Sequence, residues 1–315
     1  MALEVQTLRY YLVPFSLFFL IFIYFFHIEK IIEKKTIIII NKGDTIEKIV
    51  EILASDKNNF KKNIYYYSLR LFNQIYAPIN YGKFIIEKNS SFLDIVKVIS
   101  KKSNLDYKIT IIEGWQEFEL VVYLNNFYDD LKNISYFNLL ADTYLINSSN
   151  SFNQFENFLF QKKNEFIKNF KDNKLLKKYG IKNIFIISSL VEKEAKNNYD
   201  KGLIASVIFN RLEKNMRLEI DASVIFSLTE GKFKFDRKLY IKDLKYNHPY
   251  NTYVIKALPP GMISYISKDT LKSVLESKKS NFLFYFYDVL EKKHIFTRNY
   301  NEHKKKLYEY RKKTK

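Results

Sequence analysis

The stretch Ile184–Ala195, IFIISSLVEKEA, is an apolar run that ends in two carboxylates. Read as a helix, it places residues three, four and seven apart on one face. Counting back from Glu194 meets Val191, Leu190 and Ile187, all apolar; counting back from Glu192 meets Ser189, Ser188 and Phe185, a mixed set. The two glutamates therefore point different ways. Glu192 is expected to face water and Glu194 to be drawn against the apolar side. A carboxyl on an apolar wall has its ionised form disfavoured, so its pKa rises, which is what a general acid near neutral pH needs. The plainer alternative is a solvated helix end that happens to read EKE.

Downstream, Lys201 to Leu212 carries Ile204, Val207, Ile208 and Leu212 at helical spacing and ends in FNRL, with Asn210 and Arg211 near its C-terminus. LEIDASVIFSL follows, then a charged segment of strand or loop character to Asn247. PYNTYVIKALPPG, Pro249–Gly261, reads as a rigid loop, and Ser267–Glu276 as a third helix. NFLFYFYD, Asn281–Asp288, is an aromatic strand with KKHIFTRNY as its hairpin partner, and the basic tail reads as solvated.

Upstream, three copies of a loose pattern recur: NKGDTIEKIVEIL from Asn41, EKNSSFLDIVKVI from Glu87 and IEGWQEFELVVYL from Ile112. Each has a turn residue (Gly43, Asn89, Gly114), a helix start two residues later (Thr45, Ser91, Gln116) and an apolar helical face, and each follows a β-rich run. Thr45 and Ser91 are good N-caps and Gln116 a poor one. The unit is strand, turn, short helix. Trp115, the only tryptophan, is either a sugar platform or core, and core is the preferred reading. Phe127–Tyr179 reads as a charged helical arm that Gly180 closes.

Tyr10–Ile28, YYLVPFSLFFLIFIYFFHI, has no charged residue and the length of a bilayer-spanning helix. The bulky FFHIEKIIEKK supplies no signal-peptide cleavage site, so an uncleaved anchor is expected. Lys30, Lys34 and Lys35 outnumber Arg9 across it, a bias that by the positive-inside rule would keep the body of the protein inside. The 315 residues hold 47% hydrophobic side chains and no cysteine, which excludes disulfides and thiolate metal sites. The net charge of +18 comes from scattered lysines without a concentrated basic motif, so composition is preferred over a nucleic-acid surface. The four histidines show no metal-ligand spacing, and neither a metal nor a cofactor is expected.

SSLVEKEA, IASVIFNRL, LEIDASVIFSL, PYNTYVIKALPPG and HIFTRNYNEHKKKL occur in that order and at suitable spacing. Together they resemble the endolytic murein transglycosylase (YceG-like) family over essentially the whole chain. The resemblance implies an α+β protein with an N-terminal transmembrane helix, a small LysM-like α/β subdomain and a C-terminal mixed α+β catalytic domain. In residues, these are a short cytoplasmic segment 1–9, an anchor 10–28, a LysM-like glycan-binding region 36–125, a helical arm 126–179 and a catalytic domain 180–315. It implies cleavage within peptidoglycan glycan strands outside the cytoplasmic membrane, against the charge bias at the anchor, and penicillin-binding synthases as partners. It also implies that the second glutamate of EKE, Glu194, is the catalytic one. The sequence departs from the family pattern in two places. Ala222 and Ser223 follow Asp221 where the family has Pro and Thr, and Ser264–Ile266 replace an Asn-Pro-Gly turn.

Hydrolytic glycosidases use two carboxylates. A lytic transglycosylase differs because the attacking group is the sugar's own C6 hydroxyl, so one glutamate can serve as acid and then base. Asp221 is either a second carboxylate or a loop brace. Asn210, Arg211, Ser223, Tyr250, Asn251 and Thr252 are candidates to bind N-acetyl and hydroxyl groups, with bracing of the domain as the alternative. A non-catalytic, membrane-anchored peptidoglycan-binding or scaffold protein is the competing function, and it would have no need of the EKE and YNT motifs.

Overall fold

The structure is a computed structural model that describes Tyr24 and residues 28–129 and 131–314. The chain forms two compact units. The first comprises residues 1–109 and 144–150, the second 110–143 and 151–315.

In the first unit, strand β1 (Thr36–Ile40) leads through the Gly43 turn into helix α1 (Ile46–Ala54), followed by α2 (Asn59–Ile75), β2 (Gly82–Ile86) and α3 (Phe92–Ile99). The Thr45 side chain accepts the Lys48 N–H, and Ser91 with Asp94 closes a capping box, so both expected N-caps start their helices. β1 and β2 pair antiparallel, Thr36 opposite Ile86 through Ile40 opposite Gly82. Alternation puts Ile38 and Ile40 with Phe84 and Ile86 on one face. There they join Ile49, Val50, Leu53, Ile95, Val96 and Ile99 in a buried core around the stacked rings of Tyr65 and Phe92. β3 (Asp106–Thr110) pairs with β4 (Thr143–Asn147). β4 lies inside the stretch read as a helical arm.

The second unit contains α4 (Glu117–Leu124), α5 (Phe152–Lys168), α6 (Lys174–Glu194), α7 (Asn198–Glu213), α8 (Asp221–Thr229), α9 (Lys268–Leu275), the hairpin β5 (Phe284–Asp288) and β6 (Lys293–Thr297), and α10 (Tyr300–Lys313). Gly180, at φ 75° and ψ 157°, breaks α6 where the sequence suggested a stop. Beyond it, every residue from Ile184 to Val191 is buried, because α7, α8 and α9 all pack on this segment. The third repeat belongs to this unit: Gly114 N–H donates to Tyr265 O at 2.9 Å, and Tyr265 N–H to Trp115 O at 2.9 Å. Trp115 is half-buried with its ring against Tyr123.

The expectation of a transmembrane helix is corrected. Among the described residues no helix is long and apolar enough to cross a membrane. The longest, α6, has 21 residues, but Lys174, Lys177, Lys178, Lys182 and Lys193 interrupt it and its apolar part is consumed by the core. Tyr10–Ile28 lies, apart from Tyr24 and Ile28, outside the described residues.

Candidate active site

Glu194 is the last residue of α6, where the buried helix emerges into a cleft of about 770 Å³. One wall of the cleft is Asp221, Ala222 and Ile225 of α8; the other is Phe284–Tyr287 of β5 with His294 of β6 and His303 of α10. The Tyr285 hydroxyl donates to Glu194 Oε2 at 3.1 Å. Burial pushes the Glu194 carboxyl up to about 7, against the pull of the Tyr285 hydrogen bond, while the Asp221 charge adds to the rise. Lys196 and the Ala222 N–H favour the carboxylate less strongly. The group can therefore hold a proton near neutral pH and still be stabilised when it gives the proton up.

Glu192 does not face water. Its side chain is 4% exposed, with Oε1 paired to Lys201 Nζ at 3.3 Å. Oε2 accepts the Ser267 N–H at 2.7 Å and the Ser267 hydroxyl at 2.9 Å. Ser267 is the N-cap of α9, so Glu192 sits at the positive end of that helix. The face expected to be solvated is covered because the second half of α6 is packed on all sides from Ile184 to Val191, and a buried carboxylate must then be paired. Its serines are likewise internal: Ser188 donates to Ile184 O, and Ser189 donates to Ile186 O and accepts the Ile263 N–H.

A sequence model of the YceG-like family matches residues 38–309. The chain belongs to the YceG-like family. It is 29% identical to the endolytic murein transglycosylase of Bacillus subtilis over 274 residues, 86% of this chain and 71% of that one. To the endolytic murein transglycosylase of Streptococcus pneumoniae it is 31% identical over 137 residues, 42% of this chain and 24% of that one. The crystal structure of a YceG-like protein from Listeria monocytogenes covers 87% of this chain, and this chain covers 99% of it. The TM-score is 0.53 and the identity 25%.

In this YceG-like chain the sequence-nominated residues separate sharply. Asp221, the first residue of α8, is exposed in the Glu194 cleft and accepts the Tyr253 hydroxyl at 2.6 Å. Arg211 also lines the cleft, but Nε donates to Leu283 O at 2.7 Å, and Nη1 to Leu218 O at 2.8 Å and to Glu219 at 3.0 Å. Much of its guanidinium thus braces the hairpin against the α7–α8 turn. Asn210 spends its amide on Ser280 O and Phe282 O. Ser223 and Thr252 are fully buried and hydrogen-bond each other at 2.8 Å beneath α8. Asn251, also fully buried, donates to Leu244 O and Tyr246 O. Tyr250 lines a separate cleft with Tyr136, Phe137 and Phe226. Asn210, Ser223, Asn251 and Thr252 are thus braces that shape the cleft from behind, and only Asp221 and Arg211 share it with Glu194.

Tyr253, Tyr285, His294 and His303 reach the cleft without having been singled out. Tyr285 lay in the aromatic run FLFYFYD, Tyr253 in PYNTYVIKALPPG and both histidines in HIFTRNYNEHKKKL; these stretches name a strand, a loop and a hairpin partner but not the face that receives the acid. Among the described residues no three His, Asp or Glu side chains come together as a metal-ion site.

Proposed function

We propose that this protein is an endolytic murein transglycosylase that cleaves the MurNAc–GlcNAc bond within peptidoglycan strands and leaves 1,6-anhydro-MurNAc ends. The observation that carries the reading is the Glu194 carboxyl, half-buried at the head of an open cleft against the Tyr285 hydroxyl, where desolvation raises its pKa to about 7, in a chain of the YceG-like family. Protonated Glu194 gives its proton to the glycosidic oxygen as the bond breaks. The carboxylate that forms is met by the Tyr285 hydroxyl and, more weakly, by the Ala222 N–H. The same carboxylate then takes the proton of the sugar's C6 hydroxyl as that oxygen closes on C1. The C6 hydroxyl outcompetes water because it is already held beside the reacting carbon.

Asp221 shares the cleft, and in a hydrolase it would activate water. Its hydrogen bond to Tyr253 supports a positioning role instead. The substrate places the site of action outside the cytoplasmic membrane, where cleavage would limit nascent strand length beside the synthases that extend it. The first unit, with its strand–turn–helix repeats, is the candidate for holding the strand. The test is mass spectrometry of the sugar ends after purified protein meets purified peptidoglycan. Anhydro ends that vanish in Glu194→Gln are expected. Reducing ends as the main product would make Asp221 a second catalytic carboxylate, and binding without any cleavage would indicate a scaffold.

A further inference from the structure

Tyr285 and Glu194 share one hydrogen bond, and that bond is part of a closed ring of contacts. Three residues beyond the acid, Asn197 caps α7 by accepting the Asp200 N–H at 3.0 Å and donates to Asp200 Oδ2 at 2.9 Å. The same carboxylate oxygen accepts the His294 N–H at 3.1 Å and lies 2.8 Å from His294 Nδ1. Asp200 and His294 are 6% and 7% exposed, so this pair is built into the protein and shielded from water. His294 stands opposite Tyr287 in the hairpin register, with its ring 5.6 Å from that of Tyr285. Tyr285 then closes the ring at Glu194.

The hairpin is therefore pinned to the same short turn that carries the acid. We propose that Tyr285 is a positioning residue for Glu194, held in place by an Asp200–His294 clamp between the hairpin and the α6–α7 turn. By donating to Oε2 it makes that oxygen the acceptor and leaves the transferable proton on Oε1. A glutamate side chain at a helix end would otherwise sample several rotamers, and small misplacement of a reacting group is expensive in rate. The other groups acting on the pair are Asp221 and Lys196 at Glu194, and Arg211 and Tyr253 at Tyr285.

This inference rests on Glu194 being the acid, and the test separates the two. Tyr285→Phe keeps the ring and removes only the hydroxyl. In the full-length protein, kcat on peptidoglycan should fall on the order of tenfold or more with KM little changed. Titration of Glu194 followed by carboxyl carbon NMR, assigned against Glu194→Gln, should move to higher pH because a donor that favours the carboxylate is gone. His294→Asn, which loosens the clamp without touching the acid, should shift both readouts in the same direction by less. An unmoved Glu194 titration or an unmoved kcat in Tyr285→Phe overturns the positioning role. A fully active Glu194→Gln overturns the acid assignment instead.

Discussion

Glu192 and Glu194 stand two residues apart on one helix, yet the regions that receive them treat them oppositely. Glu192 enters the packed interface of α6, α7 and α9, where Lys201 and the N-terminus of α9 compensate its charge. Glu194 enters a cleft wall where a tyrosine hydroxyl is its closest partner and a second carboxylate stands nearby. Burial alone does not make a carboxyl an acid. A buried carboxyl with a cation and two donors has its charge compensated, whereas one with an under-compensated charge is pushed toward keeping its proton.

The contrast is sharpest in turnover. Glu194→Gln preserves shape and removes the proton, so cleavage measured by release of anhydro ends should fall by about two to four powers of ten. Glu192→Gln should do the reverse. It leaves the Lys201 charge buried without its partner, which is worth about 3–5 kcal/mol of stability in a urea titration, while turnover per folded molecule stays near that of the unmodified protein. Equal loss of turnover in both variants would erase the distinction between the two sites.

The pH dependence of stability gives a third comparison. The folded-state pKa of Glu194, about 7, lies above its ordinary value of 4.5. Its contribution is therefore fully present below about 4.5 and is lost as pH rises through about 7. At about 1.4 kcal/mol per pH unit the loss is on the order of 3 kcal/mol. Denaturant midpoints should show Glu194→Gln gaining on the unmodified protein between pH 5 and pH 8, and matched curves would mean that the carboxyl is better solvated than its surroundings imply.

The smallest effect is expected at Asp221. Its negative charge adds to the rise of Glu194, so Asp221→Asn should lower the Glu194 pKa and move the high-pH limb of the rate profile to lower pH. A collapse of the rate rather than a moved limb would make Asp221 a second catalytic carboxylate.

Local chemistry made much of this legible in advance. Helical periodicity placed Glu194 with Ile187, Leu190 and Val191, and all three prove buried. Thr45 and Ser91 announced two helix starts, Gly180 a break, and the aromatic run of β5 with its partner a hairpin. These signals lie within a few residues of what they determine, because capping, φ preference and face sharing are properties of adjacent backbone. The same periodicity misjudged Glu192, and of the YNT motif Asn251 and Thr252 are turned into the protein as braces while Tyr250 lines a separate cleft. A period says which residues share a face but not whether that face meets water or another helix. That depended on Ser267, 75 residues from Glu192, and on Tyr285, 91 residues from Glu194. The partner that decides whether a buried carboxylate is neutralised or left to keep its proton comes from a distant part of the chain, and only packing brings it there.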